Sequence, residues 1–164
     1  MTGRLRPMRA DDATMILSWR NALHVRANVF HPEVISADQH AEWMATTLKS
    51  DDRAYFVFEA ENVPRALVGL TRIDRLHRRC DWGFYTAPDA PRGTATRMLE
   101  LAAEHAFGEL NLRKISAEVL GHNVASLRLH EKLGFQREGV RSRHHLVDGV
   151  FQDVVLFAKF AEYA

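Results

Sequence analysis

The sequence predicts a mixed α/β (α+β) protein: a mostly antiparallel sheet of about seven strands that holds one parallel pair, with about four helices. Three observations point there. Short β-rich runs, AYFVFEA from Ala54, RALVGLTRI from Arg65 and RCDWGFY from Arg79, follow one another through turn-like segments, the rhythm of an antiparallel meander. Between Arg79 and Phe135 the pattern changes to strand, long helix, strand, helix, and such a β-α-β-α unit runs its two strands parallel. Near the C-terminus Asp148-Gly149 separates two strand-like runs, which is the turn chemistry of a hairpin.

Each element has a local reason. RLRPMRADDA reads as a short strand followed by an Asp-capped helix, whose MILSW stretch carries apolar positions at helical spacing. SADQHAEWMATTL is a second helix opened by Ser36. APDAPRGTATRMLELAAEHAFGEL leaves the third β-rich run through two prolines and a glycine into the longest helix, and RKISAEVL returns as a strand. NVASLRLHEKLGF closes the unit: Asn123 caps its helix, Lys132 sits in the last turn, and Gly134 suits the left-handed residue that ends it.

With 164 residues, 46% hydrophobic and 26% charged, the chain suffices for one substantial core and is short for two, so residues 1–164 are expected to form a single domain. A net charge of +1 with scattered basic residues provides no broad field for nucleic acid or an acidic membrane. No stretch reaches the roughly 18 apolar residues of a membrane span, and MTGRLRPMRADD lacks the apolar core of a signal peptide, so a cytoplasmic enzyme is expected. The lone Cys80 permits no internal disulfide and reads as a small core residue. Nine histidines raise the question of metal, but no His-Glu-x-x-His or Cys-x-x-Cys occurs, and His144 and His145 as strand neighbours face opposite ways, so no metal is expected.

The strand ending in FYTAPDAPRGTATRML and the later AEVLGHNVASLRLHEKLGF resemble the acetyl-CoA-dependent N-acetyltransferases of the GNAT superfamily over essentially the whole chain. That resemblance implies the GNAT fold, with its parallel central pair splayed. Physically, a glycine-bearing loop feeding a helix N-terminus presents unpaired N–H groups and a positive dipole end to a pyrophosphate such as that of coenzyme A. The superfamily loop is Gln/Arg-x-x-Gly-x-Gly/Ala; Gly93 and Ala95 are in place, Ala90 occupies the first position, and Arg92 offers the missing cation. The resemblance therefore places acetyl-CoA against Arg92, Gly93, Thr94, Ala95 and Thr96, with Asn123, Ser126 and His130 along its pantetheine arm. Its thioester carbonyl would lie on the backbone near Phe84, Tyr85 and Thr86.

For the chemistry, amine acetylation needs a neutral nucleophile, a polarised carbonyl and a proton for the departing thiolate. Several family members carry a base glutamate five residues before the capping asparagine, here Glu118, and an acidic tyrosine seven residues after it, here His130. Histidine can supply an N–H in either protonation state, and the alternative is that His130 packs beside the cofactor while Tyr85 or water delivers the proton. Glu118 could equally pair with Lys114 or an arginine.

On the acceptor side, SWRNALHVRANVF with ISADQHAEWM resembles the acetyltransferases acting on UDP-linked 4-amino-4,6-dideoxy sugars in pseudaminic acid biosynthesis, as does WGFYTAP. Arg20, Asn21, His40 and Tyr85 would contact such a nucleotide sugar. LRPMRADDA and DGVFQDVVLF are similar instead to the ribosomal-protein N-terminal acetyltransferases, and an aminoglycoside-type acceptor belongs with that option. Departures at Ala90 and His130 leave a third reading, a non-catalytic acyl-CoA-binding module. The expected partner is a small-molecule amine, with a homodimer as the other association open to the chain.

Overall fold

A computed structural model describes residues 2–162. The chain opens with β1 (Arg4–Pro7), α1 (Ala13–Arg20), α2 (Leu23–Arg26) and α3 (Ala37–Thr47). The meander β2 (Ala54–Ala60), β3 (Val63–Asp74) and β4 (Arg79–Thr86) follows, then α4 (Thr94–Gly108), β5 (Lys114–Leu120) and α5 (Val124–Lys132). The hairpin β6 (Gln136–Val147) and β7 (Val150–Phe160) completes one seven-stranded sheet in the order β1-β2-β3-β4-β5-β7-β6. Among the described residues only β4 and β5 pair in parallel. The expected sheet and its parallel pair are therefore present, together with one short helix, α2, that was not anticipated.

Strand alternation divides the core in two. Phe56, Phe58, Val68, Leu70 and Trp82 turn to one face and pack with Met98, Leu99 and Ala102 of α4 and with Ile115 and Phe157. Val57 and Leu67, one residue out of step, turn to the other face against Ile16 of α1 and Met44 of α3. Cys80 is buried in the first of these layers.

Local expectations hold at three helix ends and one turn. Ser36 accepts from Gln39 N at 3.2 Å while the Gln39 side chain accepts from Ser36 N at 2.9 Å, a complete capping box. Asn123 Oδ1 accepts from Ser126 N at 3.1 Å, and Gly134 ends α5 at φ +81°. Asp148 and Gly149 take φ of +47° and +78°, the pair of left-handed residues that a tight hairpin turn demands. Asp12 departs from expectation: its side chain makes no N-terminal cap for α1, but accepts from Arg9 N at 2.8 Å and from both Arg6 Nη atoms at 2.7 Å. Arg6 Nε in turn donates to Glu59 at 2.7 Å, and both carboxylates are buried.

This cluster has a measurable consequence. Hydrogen bonding to Arg6 holds the Asp12 and Glu59 carboxyls below their ordinary values. A carboxyl depressed in the folded state contributes stability above its ordinary value, near pH 4, and loses it as pH falls through the depressed value. Arg6→Met is expected to lower unfolding stability by roughly 3 kcal/mol at pH 7, because the buried Asp12 carboxylate loses its arginine and Glu59 is left with Arg4 alone. It should also flatten the decline below about pH 4. Urea denaturation from pH 3 to 7 measures both; a parent whose stability does not fall in acid would remove the cluster from the account.

Candidate active site

β4 and β5 pair only from Arg79↔Lys114 to Asp81↔Ser116 and then part, because each stays with its outer neighbour: β4 with β3 as far as Thr86, β5 with β7 as far as Leu120. The Ala87 N–H reaches Arg65 O at 2.8 Å, so antiparallel alternation turns the N–H groups of Phe84 and Thr86 the other way, into the opening. Phe84 and Thr86 thus face the gap with their backbone, while Tyr85 bonds toward β3. The Thr86 carbonyl is met by His24 Nε2 at 3.1 Å.

Beyond β4 the loop reaches α4. Gly93 sits at its N-cap with φ +91°, a left-handed conformation suited to glycine, and a Cβ built there would meet nothing within 4 Å. Among the described residues no side chain caps α4. Among the described residues the N–H groups of Gly93, Ala95 and Thr96 have no protein acceptor, whereas Thr94 N bonds to Pro91 O at 3.2 Å. Three unpaired donors at a helix N-terminus, under open space, fit the pyrophosphate of coenzyme A. Asn123 spends its Oδ1 on its own helix, and its amide N–H groups have no protein partner among the described residues.

On the α1–α3 face, Asp81, Tyr85 and Glu118 point the same way from the two parted strands. Glu118 Oε1 accepts from Arg141 Nη1 at 3.0 Å, and Oε2 has no protein partner among the described residues. Asp81 pairs with Arg72. Burial raises the Asp81 carboxyl, with a further push from Glu118. Together they stand in a trough of about 440 Å³ that Arg72, Asp74, Arg79, Lys114, Glu138 and Arg141 also line. Lys114 bonds Glu138 at 2.6 Å, so Glu118 takes the arginine partner rather than the lysine. The Tyr85 hydroxyl has no partner among the described residues, and burial raises its phenol above the ordinary value.

His130 does not fit the expected proton donor. It is 1% exposed, its Nδ1–H donates to Ser126 O at 2.8 Å, and its Nε2 accepts from the Trp82 indole N–H at 3.1 Å. Neither ring nitrogen is left for a sulfur. Several of the expected acceptor residues are bonded to the chain itself. Asn21 is consumed by the backbone of Ile35, donating to its O at 2.8 Å and accepting from its N at 2.9 Å. Arg20 Nη2 donates to His31 O at 2.5 Å, so Arg20 braces the segment between α2 and α3 and does not pair with Asp12. His40 is buried and stacked on Trp43 at 5.1 Å, away from solvent. Sequence reasoning missed Asp81 and Trp82; one could have been found from its place two residues from Gly83 on the face shared with Tyr85, the other only through a contact with His130 across 48 positions.

Residues 4–136 match the family model described as an acetyltransferase (GNAT) domain. The chain belongs to the GNAT acetyltransferase family. Spermidine N(1)-acetyltransferase of Escherichia coli K12 is 25% identical over 158 residues, spanning 96% of this chain and 85% of the relative. A crystal structure of spermidine N-acetyltransferase from Vibrio cholerae, in complex with CoA and spermine, superposes with a TM-score of 0.90 at 27% identity, covering 96% of this chain and 95% of that one. A dodecameric structure of the Vibrio cholerae enzyme superposes at 0.82, with 26% identity over 96% and 93% of the two chains. As a GNAT acetyltransferase the protein is an N-acetyltransferase that uses acetyl-CoA and an amine acceptor. The resemblance to nucleotide-sugar acetyltransferases finds no counterpart in these relatives. Among the described residues, no helix is long and apolar enough to cross a membrane and no three candidate ligands gather for a metal ion.

Proposed function

We propose that the protein acetylates a primary amine of a small cationic, polyamine-type acceptor that reaches the reacting carbonyl through the trough beside Glu118. The observation that carries this reading is the placement of two carboxylates, Asp81 and Glu118, on one face where β4 and β5 part, one with a free oxygen. The spermidine acetyltransferases support it. Four acids and four bases line the trough, so recognition there is by contact rather than by long-range steering.

Each group then has one task. Bound acetyl-CoA supplies the acetyl thioester, whose C–S bond breaks as the acceptor nitrogen bonds to the acyl carbon. The backbone N–H groups of Phe84 and Thr86 are placed to hold the carbonyl oxygen. An aliphatic amine, with a value near that of lysine at 10.4, arrives protonated and sheds one proton to solvent to become the nucleophile; Glu118 Oε2 takes the second, which the nitrogen loses as the C–N bond forms. Burial raises the Tyr85 phenol, so its hydroxyl stays protonated at neutral pH. It stabilises the departing sulfur by donating a hydrogen bond, and the sulfur's final proton comes from water.

The nucleotide-sugar alternative is weakened because Asn21 is spent on Ile35 and Arg20 Nη2 on His31 O, while Arg20 Nη1 and His40 Nε2 are buried without a partner among the described residues. A panel of spermidine, spermine, a UDP-4-amino sugar, an aminoglycoside and a ribosomal N-terminal peptide, assayed by release of coenzyme A thiol, should give the highest kcat/KM with a polyamine. Preference for the sugar or the peptide would overturn the acceptor proposal, and thiol release with none of them would favour a binding module.

A further inference from the structure

Trp82 is the first β4 residue beyond the last β4–β5 pair, Asp81↔Ser116. Its indole can only donate a hydrogen bond, and the Ser126 carbonyl can only accept one. With both in contact with His130, the tautomer of that ring follows without ambiguity: Nδ1 carries the hydrogen and Nε2 carries the lone pair. We propose that Trp82 is a positioning residue of this acetyltransferase, whose N–H locks His130 as an uncharged Nδ1–H ring that ties β4 to α5 at the head of the parted strands and gives no proton to the leaving sulfur.

The surroundings agree. The ring stacks on Phe157 at 5.2 Å and meets Phe135 edge-on at 5.1 Å and Phe84 at 6.0 Å. Protonating Nε2 would set two N–H donors against each other and bury a charge among these rings. Burial accordingly lowers the imidazole below its ordinary value. The ionisable groups on the packed elements do not supply a counter-charge. Cys80, on the same face of β4, is held neutral by burial that pushes its thiol up to about 12. Arg137 lies over the Phe157 ring at 5.8 Å and bonds Glu131, and Lys159 donates to Leu133 O at 2.5 Å. Ser126 Oγ, 3.4 Å from Nδ1, adds no charge.

Nitrogen-15 NMR of histidine-labelled full-length protein from pH 5.5 to 9, with and without coenzyme A, tests the lock directly. Expected for His130, identified by the signal lost in His130→Phe and so told apart from the likewise buried His40, is a non-titrating ring with protonated Nδ1 and bare Nε2. In Trp82→Phe, that ring should show a second, Nε2–H population and begin to titrate. An Nε2–H signal from His130, or its titration, in the parent overturns the proposal. In kinetics, His130→Phe should lower kcat less than about tenfold and leave the shape of the pH profile unchanged, because no proton transfer is lost. A fall of about 10² or more at unchanged acetyl-CoA KM and melting temperature would restore His130 as the acid. Should that variant fail to fold, the tautomer measurement decides alone. It requires no acceptor, so its result is independent of the acceptor's identity.

Discussion

Replacing Glu118 by glutamine should lower kcat by roughly 10²–10⁴, the range that a positioned proton acceptor typically contributes. The amide keeps the shape and still accepts a hydrogen bond from Arg141, but it has no basic oxygen to offer where Oε2 now stands free. KM for acetyl-CoA should change little, since Glu118 faces the trough and not the α4 loop. Raising the pH toward the acceptor's own value should recover part of the loss, because more of the amine then arrives neutral. A variant with parental kcat, under conditions where chemistry limits the rate, would make the Arg141 ion pair the whole role of this carboxylate.

Gly93→Val is expected to weaken acetyl-CoA binding by about ten- to a hundredfold, the worth of one or two charge-assisted hydrogen bonds to a pyrophosphate. Two costs combine. At φ +91° a β-branched residue is strained, and relieving the strain rotates the neighbouring N–H groups away from their common target. The added methyls would also project into space that is open in the protein alone. Calorimetric titration with coenzyme A measures the loss, with melting temperature as the check on folding. Unchanged affinity in a folded variant would remove the α4 N-terminus from the cofactor site.

The parts of the fold legible in the sequence were those where local chemistry and burial agree. Ser36 and Asn123 sit where their caps were expected, and the alternation of Phe56, Val57 and Phe58 between two covered faces made β2 plain. β6 was harder to delimit: it is an edge strand, mostly exposed and polar along its 12 residues, so no hydrophobic period marks its bounds. α2, four residues long, is too short to show a period at all. At the site, the backbone donors around Gly93 were readable because glycine and a helix start are local signals. The fates of His130, Arg20 and Asn21 were not, since each was decided by a partner elsewhere in the chain: an indole from another strand or a carbonyl from the segment before α3.

A sheet that comes apart in its middle acquires two internal edges. Past Asp81, β4 turns unbonded peptide groups toward the gap, and an extended chain bearing amides of its own, as the pantetheine arm is, can complete the ladder as an added strand would. Recognition of that kind reads peptide geometry and ignores side chains. Thr86 is therefore free to vary in identity as long as the strand keeps its path, whereas Phe84 is held by its packing beside His130, and the backbone nearest the reacting carbonyl can be little marked by any motif.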